Sequence, residues 1–326
     1  MASEFDLIAR YFTRPVRRAR LGVGDDCALL ALTQGHELAI SIDMLVAGTH
    51  FFPDTDPQRL GHKTLAVNLS DLAAMGAKPA SALLSLALPT ADEAWLAAFA
   101  RGFFALADEH GVELVGGDTT RTPPGGTLTL NVTILGEVPT GQAVRRSGAQ
   151  AGDDIWVSNT LGDAALGLAA LRGKVSLDQA QREYCVNRLE APTPRVALGL
   201  ALRGIARSML DISDGLAGDL AHIARASGVR ARVDVDALPL APALRGVSHE
   251  LALQCALAGG DDYELCFTAA PAQRVGVEAA GRSAGVAVTC IGSILPAMAG
   301  AAPVRFVDAA GRDLSLKLGG YDHFSA

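Results

Sequence analysis

The chain has 326 residues, 49% hydrophobic and 19% charged, and its 28 lysines and arginines against 35 aspartates and glutamates give a net charge of −7. This length suits two domains of about 150 residues, and the composition excludes a largely disordered chain. The negative balance disfavours non-specific nucleic-acid binding, which a basic surface would serve.

Targeting and redox features are absent from the sequence pattern. The start, MASEFDLIARYF, has no basic region followed by a long apolar stretch, so no secretory signal is predicted. No run approaches the ~18 apolar residues of a membrane-spanning helix. We therefore expect a cytoplasmic protein with no membrane segment, and buried, reduced thiols at all five cysteines. These are Cys27, Cys185, Cys255, Cys266 and Cys290.

Hydrophobic periodicity predicts alternating strands and helices in the first half of the chain. The Ala-rich segment around Trp95, Phe99 and Phe103 has the apolar spacing of an amphipathic helix. The predicted elements are a strand at 38–43 that leads into Asp43, a helix at 57–75, a buried strand at 81–87, a helix at 91–110, and strands at 112–115 and 127–137.

The Gly-rich, basic segment 139–152, PTGQAVRRSGAQAG, is the predicted linker between an N-terminal domain, 1–138, and a C-terminal domain, 153–326. The second half alternates similarly, which favours two α+β domains, although the spacing is also compatible with a doubly wound sheet. The predicted elements there are strands near 154–158, 207–212, 230–235, 263–268 and 286–292, and helices near 162–172, 178–190, 194–203, 214–227 and 271–283.

The common nucleotide and hydrolase signatures are missing. GLAALRGKV has the wrong spacing for a P-loop, and GVGDDC lacks the third glycine of a dinucleotide fingerprint. No protein-kinase set, G-x-S-x-G turn or zinc-type His/Cys spacing occurs.

Aspartates gather instead at the ends of apolar segments. Two carboxylates ~4 Å apart repel by about 4 kcal/mol at an effective dielectric near 20, so a convergent set requires cations. Oxygen ligands favour Mg²⁺ over zinc, and Mg²⁺ with carboxylates is usual where phosphates are transferred. For any single aspartate, an ordinary turn or cap role stays open. The set is Asp25, Asp26, Asp43, Asp71, Asp118, Asp211, Asp214, Asp261 and Asp262.

The order and spacing of nine motifs resemble the thiamine-monophosphate kinase family, within the aminoimidazole ribonucleotide synthetase superfamily. The resemblance implies a two-domain α+β (α/β) architecture, with an N-terminal mixed sheet with helices and a C-terminal α+β domain. It also implies a homodimer in which N-terminal strands of two subunits join. The motifs are GVGDDCALL, SIDMLVAGTHF, NLSDLAAMGAKP, ELVGGDTT, RRSGAQAGD, SNTLGDAALGL, DISDGL, GGDDYEL and GGYDHF.

The implied reaction is transfer of a phosphoryl group from ATP to thiamine monophosphate, giving thiamine diphosphate as the last step of its biosynthesis. The acceptor phosphate is already anionic, so direct in-line transfer assisted by several Mg²⁺ ions needs no strong acid or base. The implied partners are thiamine monophosphate and ATP, with no nucleic acid and no membrane.

Site residues follow from the same resemblance. Many relatives have Glu at the position of Asp261 and Trp at the position of Tyr321, and some have Thr at the position of Ile42. Arg145 is an alternative to Arg146. Asp25 is expected either to brace the turn that presents Asp26 or to contact the metal's ligands without binding the metal itself. The implied Mg²⁺ ligands are Asp26, Ser41, Asp43, Asp71, Asp118, Asp211 and Asp214; the ATP contacts are Gly117, Asp118, Arg146 and Ser213; the substrate contacts are His50, Asp261 and Tyr321.

Two other functions remain open from the sequence. Another ATP-using enzyme of the superfamily is disfavoured, because selenophosphate synthetases carry a reactive Cys and a Lys near the N-terminus and hydrogenase-maturation relatives end in a Cys-bearing tail. Here the first lysine is Lys63 and the chain ends YDHFSA. A catalytically silent nucleotide-binding or thiamine-sensing protein is the third possibility.

Overall fold

The computed structural model describes residues 3–314, which form two compact units. Unit 1 comprises the described residues up to Leu72 together with Ala77–Gly141. Unit 2 comprises Ala73–Gly76 and the described residues from Gln142 onward. The chain therefore leaves unit 1 inside the segment 139–152.

Unit 1 is built on a four-stranded sheet in the order β1-β4-β2-β3, so β1 and β3 are its edges. All neighbouring pairs are antiparallel except β2 and β3, which are parallel. The strands are β1 (His36–Val46), β2 (Lys78–Leu88), β3 (Glu113–Arg121) and β4 (Thr129–Pro139); the helices are α1 (Glu4–Leu7), α2 (Pro57–Ala74) and α3 (Glu93–His110).

The two faces of this sheet differ in burial because strand side chains alternate between faces. Leu84 and its cross-strand neighbour Val132 belong to the buried face. On that face the Leu72 side chain of α2 lies against Gly136 of β4. The other face of β1 presents four exposed apolar side chains, Leu38, Ile40, Ile42 and Met44.

Helix α3 shows how local sequence sets an element. The Asp92 carboxylate accepts hydrogen bonds from the Ala94 and Trp95 amides at the N-terminus, and Gly111 ends the helix. The amphipathic pattern buries Phe99 and Phe103 completely. The predicted helix at 91–110 is therefore confirmed.

Unit 2 contains a six-stranded sheet in the order β10-β7-β9-β5-β8-β6. Only β10 and β7 run parallel, so the doubly wound alternative is wrong and the α+β architecture is confirmed. The strands are β5 (Asp154–Ser158), β6 (Ser208–Ile212), β7 (Arg230–Asp234), β8 (Glu264–Ala269), β9 (Val288–Leu295) and β10 (Val304–Val307). The helices are α4 (Asp163–Leu171), α5 (Gln179–Glu190), α6 (Val196–Ala201), α7 (Leu216–Ser227), α8 (Pro242–Arg245), α9 (His249–Ala258) and α10 (Arg274–Ala284).

Three features differ from the sequence-based expectations. Strand β3 extends to Arg121, well beyond 112–115, because the polar GGDTT run forms an exposed edge strand. Helices α1, α8 and α9 and strand β10 were not predicted. Cys27 is exposed and Cys290 is only partly covered, so the expectation of buried thiols is wrong for them. Within residues 3–314, no helix has both the length and the apolar character that a bilayer crossing requires.

Candidate functional site

A cavity of about 1010 Å³ in unit 1 brings together residues of two distant motifs and of the N-terminal segment. Asp26 of the GVGDDC loop and Asp118 of β3 both line it. One wall is formed by the N-terminal segment through Phe5, Ile8 and Phe12. Apolar walls with a few polar groups are typical of small-molecule pockets of this size.

Gly117 lies beside Asp118 in this cavity and cannot be replaced without strain. Its φ is +153°, and a Cβ atom would lie 1.8 Å from the Leu84 carbonyl oxygen of the neighbouring strand. Leu84 and Gly117 are paired across the parallel β2–β3 ladder. Glycine therefore lets the backbone of β3 approach β2 at the position that presents Asp118.

The two adjacent aspartates of GVGDDC have different contacts. The Asp26 amide donates a hydrogen bond of 2.9 Å to Asp25 Oδ1. This contact is what a residue that braces the turn should make, as the sequence analysis expected of Asp25. Both side chains are exposed, and Asp26 stays the predicted ligand.

Ser41, Asp43 and Asp71 belong to the helix-covered side of the unit 1 sheet. The Ser41 hydroxyl donates to Asp71 Oδ2 of α2 at 2.5 Å. The Asp43 amide donates to Asn68 Oδ1, and the Asn131 side-chain amide donates to the Asp43 carbonyl. These bonds fix the backbone of β1 and the start of the Ser-Asp motif on α2 against each other.

The sheet separates this group from Asp118. Asp43 is in register with Val132, Val132 with Leu84, and Leu84 with Gly117. Asp43 is therefore level with the residue before Asp118, on the opposite edge strand. Three strand spacings place the backbones of Asp43 and Asp118 about 14 Å apart, with side chains on opposite faces. Among residues 3–314, no three His, Cys, Asp or Glu side chains form a group that could hold a metal ion.

His50, a predicted substrate contact, lies in the turn after β1. Its Nδ1 accepts the Val46 amide at 3.0 Å, and its own amide donates to the Val46 carbonyl at 2.9 Å. An acceptor at Nδ1 places the proton of the neutral ring on Nε2. These two bonds to Val46 therefore fix both the turn after β1 and the orientation of the His50 ring.

In unit 2, the DISDG motif forms the end of β6 and the turn that follows. Asp211 is buried on the strand, whereas Asp214 is exposed in the turn. The amides of Ser213, Asp214 and Gly215 all donate to Asp219 Oδ2, each at 3.1 Å. Burial raises the pKa of Asp219 to about 6, although these three amides oppose the shift.

The GGDDYEL motif forms a loop beside this turn. Asp261 and Tyr263 have φ values of +68° and +50°, which residues other than glycine rarely adopt. The Asp261 amide donates to the Ser213 carbonyl and the Tyr263 amide to the Ile212 carbonyl. The structure therefore brings three predicted site residues of unit 2, Ser213, Asp214 and Asp261, into one neighbourhood.

A buried ionic network lies behind the same loop. Asp262 points inward, and both of its carboxylate oxygens accept from the Gly162 amide. Glu264, with no exposed surface, accepts from Arg188 and Arg195. Burial raises the pKa of Asp262 well above its ordinary value, with a partial opposing effect from the Gly162 amide and Arg188. Asp262 is therefore a structural residue, and the network restrains the strained loop.

The pair Arg145 and Arg146 is exposed at the start of unit 2. The Arg145 carbonyl accepts from the Met209 amide. Burial lowers the pKa of His222, and the positive charges of Arg146 and Arg225 lower it further, whereas Asp214 opposes them. Arg146 and Asp214 therefore both act on His222, with opposite effects on its pKa. Tyr321 lies outside the described residues.

Sequence reasoning missed the residues that hold these motifs in place. Asp219 is the fourth residue of a helix and eight residues after Asp211, a spacing that could have indicated a carboxylate facing the preceding turn. Asn68 and Tyr263 also lie within motifs that were recognised. The N-terminal wall of the cavity had no comparable signal, because residues 3–12 contain no distinctive motif.

Comparisons with known proteins agree with this architecture. Residues 24–138 match the family "AIR synthase related protein, N-terminal domain" and residues 150–299 match its C-terminal domain. Thiamine-monophosphate kinase of Salmonella typhimurium is 49% identical, over 99% of this chain and 98% of that protein.

Two solved structures are also similar. The crystal structure of thiamine-monophosphate kinase from Stenotrophomonas maltophilia has a TM-score of 0.82 and 49% identity, covering 92% of this chain and 94% of that one. AaThiL complexed with AMPPCP and TMP has a TM-score of 0.77 and 28% identity, covering 90% of this chain and 89% of that one. The chain belongs to the thiamine-monophosphate kinase family.

Proposed function

We propose that this enzyme transfers the γ-phosphoryl group of ATP to the phosphate of thiamine monophosphate, giving ADP and thiamine diphosphate. The observation that carries the proposal is full-length similarity to thiamine-monophosphate kinases, and in this chain GVGDDC and GGDTT line one cavity while DISDG and GGDDYEL are hydrogen-bonded to each other. The AMPPCP and TMP named in the AaThiL complex support both substrates.

The unit 1 cavity is the proposed site for part of the nucleotide. Gly117 brings the β3 backbone close to β2, and Asp118 faces the same space as Asp26. In unit 2, Ser213 is proposed as a second ATP contact. Arg146 is preferred to Arg145 for the phosphates by its place in the family motif RRSGAQAGD, and a guanidinium matches phosphate oxygens.

Mg²⁺ is the proposed cofactor, and the donor chemistry fits it. Every predicted ligand offers a hard oxygen, and two pairs are associated within unit 1: Ser41 with Asp71, and Asp26 with Asp118. Bound Mg²⁺ would neutralise phosphate oxygens. The separation of Asp43 from Asp118 favours more than one ion. The proposed ligands are Asp26, Ser41, Asp43, Asp71, Asp118, Asp211 and Asp214.

The substrate contacts are proposed on the same basis. Asp261 offers a carboxylate for the cationic thiamine part, and its position is restrained by the Ser213 carbonyl. His50 is held by Val46 in the turn after β1. Tyr321 remains a proposal from the family motif alone.

We also propose a homodimer formed through β1. This edge strand exposes Leu38, Ile40, Ile42 and Met44 on one face, with Ile40 and Ile42 each 61% exposed. A contiguous apolar face on an unpaired edge strand is typical of an interface between subunits. The proposed occupant is the same strand face of a second copy.

The test is a product analysis with purified protein, ATP, Mg²⁺ and thiamine monophosphate. We expect thiamine diphosphate and ADP in equal amounts, and no comparable product from free thiamine. Consumption of ATP with another acceptor would favour a different enzyme of the superfamily. Tight ATP binding without any product would favour the silent nucleotide-binding alternative.

A further inference from the structure

We propose that Asp219 is a positioning residue that holds the candidate site of unit 2 in its working geometry. This inference rests on the proposed function and extends it to a residue that the motif comparison did not assign. Asp219 is 6% exposed, and one of its carboxylate oxygens accepts from three consecutive amides, those of Ser213, Asp214 and Gly215.

The first step of the argument concerns the turn itself. Three amides that converge on one carboxylate oxygen fix the backbone more firmly than a single cap bond, because each bond is charge-assisted. Gly215 completes the constraint with φ +111° and its hypothetical Cβ only 2.9 Å from Ala258 backbone. Asp219 therefore determines the direction in which the Ser213 and Asp214 side chains leave the turn.

The second step links the turn to the substrate loop. The Ser213 carbonyl accepts a hydrogen bond from the Asp261 amide at 2.9 Å, and the Ser213 amide donates one to the Asp219 carboxylate. Ser213 therefore links Asp219 to Asp261. Asp261 is in a strained conformation that persists only when its surroundings fix it. A shift of the turn would move both Asp214 and Asp261, although Asp219 contacts neither side chain through these bonds.

If Asp219 were only a helix cap, its substitution would lower stability but leave the response of the folded protein to Mg²⁺ and nucleotide unchanged. A cap stabilises unit 2 without altering how the folded protein responds to Mg²⁺ and nucleotide. Asp92 is the matched control, since it also accepts two amides, those of Ala94 and Trp95, at a helix N-terminus.

The test compares Asp219→Asn and Asp219→Ala with Asp92→Asn and Asp92→Ala. Two quantities are measured: the half-saturating Mg²⁺ concentration for turnover, and the rise in Tm on adding Mg²⁺ with a non-hydrolysable ATP analogue. Asn keeps the size and one acceptor oxygen but loses the charge, so we expect about a tenfold higher Mg²⁺ requirement and a smaller rise in Tm. Ala removes the acceptor oxygen as well, so it should raise the Mg²⁺ requirement further, by about a hundredfold.

The Asp92 variants should lower the metal-free Tm and leave both quantities unchanged. Wild-type Mg²⁺ dependence and an unchanged ligand-induced rise in Tm in Asp219→Asn would overturn the proposal, whether or not Asp219→Ala folds. If the wild type forms no thiamine diphosphate, the proposed function fails instead, and the ligand-induced Tm still decides the role of Asp219.

Discussion

Gly117 shows how the backbone geometry of one residue positions a neighbouring candidate site residue. Its lack of a side chain allows β3 to lie against the Leu84 carbonyl while the next residue, Asp118, reaches the cavity. Gly125 also has a positive φ, +77°, but has open space around its Cβ position. Substituting Gly125 by alanine therefore introduces backbone strain alone, whereas substituting Gly117 introduces backbone strain and a steric clash with β2.

Gly117→Ala should lower the free energy of unfolding by more than about 3 kcal/mol, or displace Asp118 and abolish turnover, because the strands must separate. Gly125→Ala should cost about 1 kcal/mol with activity retained, since only the left-handed backbone is strained. Urea unfolding and kcat measure the two effects. Equal effects of the two substitutions would contradict the steric account.

Asp25 and Asp26 form a second comparison at this scale. Asp26→Asn should raise the Mg²⁺ requirement for turnover strongly, because a candidate ligand loses its charge. Asp25→Asn should have a much smaller effect, since the amide oxygen can still accept from the Asp26 amide. Titration of activity with Mg²⁺ checks the order, and the reverse order would assign the ligand to Asp25.

The sequence located the motifs better than it located the residues that hold them. Asp26, Gly117 and Asp118 come from two recognised motifs that line one cavity in the structure, and their roles remain predictions. Asp219 was missed because one aspartate in a helix resembles many others. Its role depends on three backbone amides whose convergence exists only in the folded turn.

At the scale of elements, the loop before β8 depends on buried charge. The Glu264 carboxylate accepts hydrogen bonds from Arg188, Arg195, Ser158 and Asn159, all within unit 2. A buried ion is costly unless every partner is retained, so the loss of one charge leaves the others uncompensated. The strained backbone at Asp261 and Tyr263 is attached directly to this network.

Glu264→Gln should therefore lower the free energy of unfolding by about 3–5 kcal/mol, because the buried Arg188 and the partly buried Arg195 lose the carboxylate that they share. Glu278→Gln is the matched control, since its pair with Arg282 is exposed and should contribute less than about 0.5 kcal/mol. Thermal and urea unfolding measure both. A loss below about 1 kcal/mol for Glu264→Gln would show that the network does not hold the loop.

Elements with strong periodicity were predicted well, and their ends less well. α3 and β5 match closely because an amphipathic stripe or a buried run fixes the type of element. β3 was predicted too short because an exposed edge strand needs no apolar alternation. Sheet order could not be predicted, since strand pairing depends on contacts distant in sequence.

At the scale of the whole molecule, the exposed face of β1 is the feature that bears on assembly. Ile42→Glu should convert a dimer of 33.7 kDa chains to monomers, because a buried charge would replace an apolar contact. Val275, 74% exposed in unit 2, provides the control Val275→Glu, which should leave the mass unchanged. Analytical ultracentrifugation distinguishes the two. A monomeric wild type, or a dimeric Ile42→Glu, would contradict the proposed interface.

The central claim is direct transfer of phosphate from ATP to thiamine monophosphate, and labelled substrate tests it most directly. With γ-³²P-ATP and Mg²⁺, we predict that the label appears in the terminal phosphate of thiamine diphosphate, with none retained on the protein at any time. Asp118→Asn should fold normally and transfer little label, since it lacks a proposed ligand. Label found only in inorganic phosphate, or held covalently by the protein before product forms, would contradict the account.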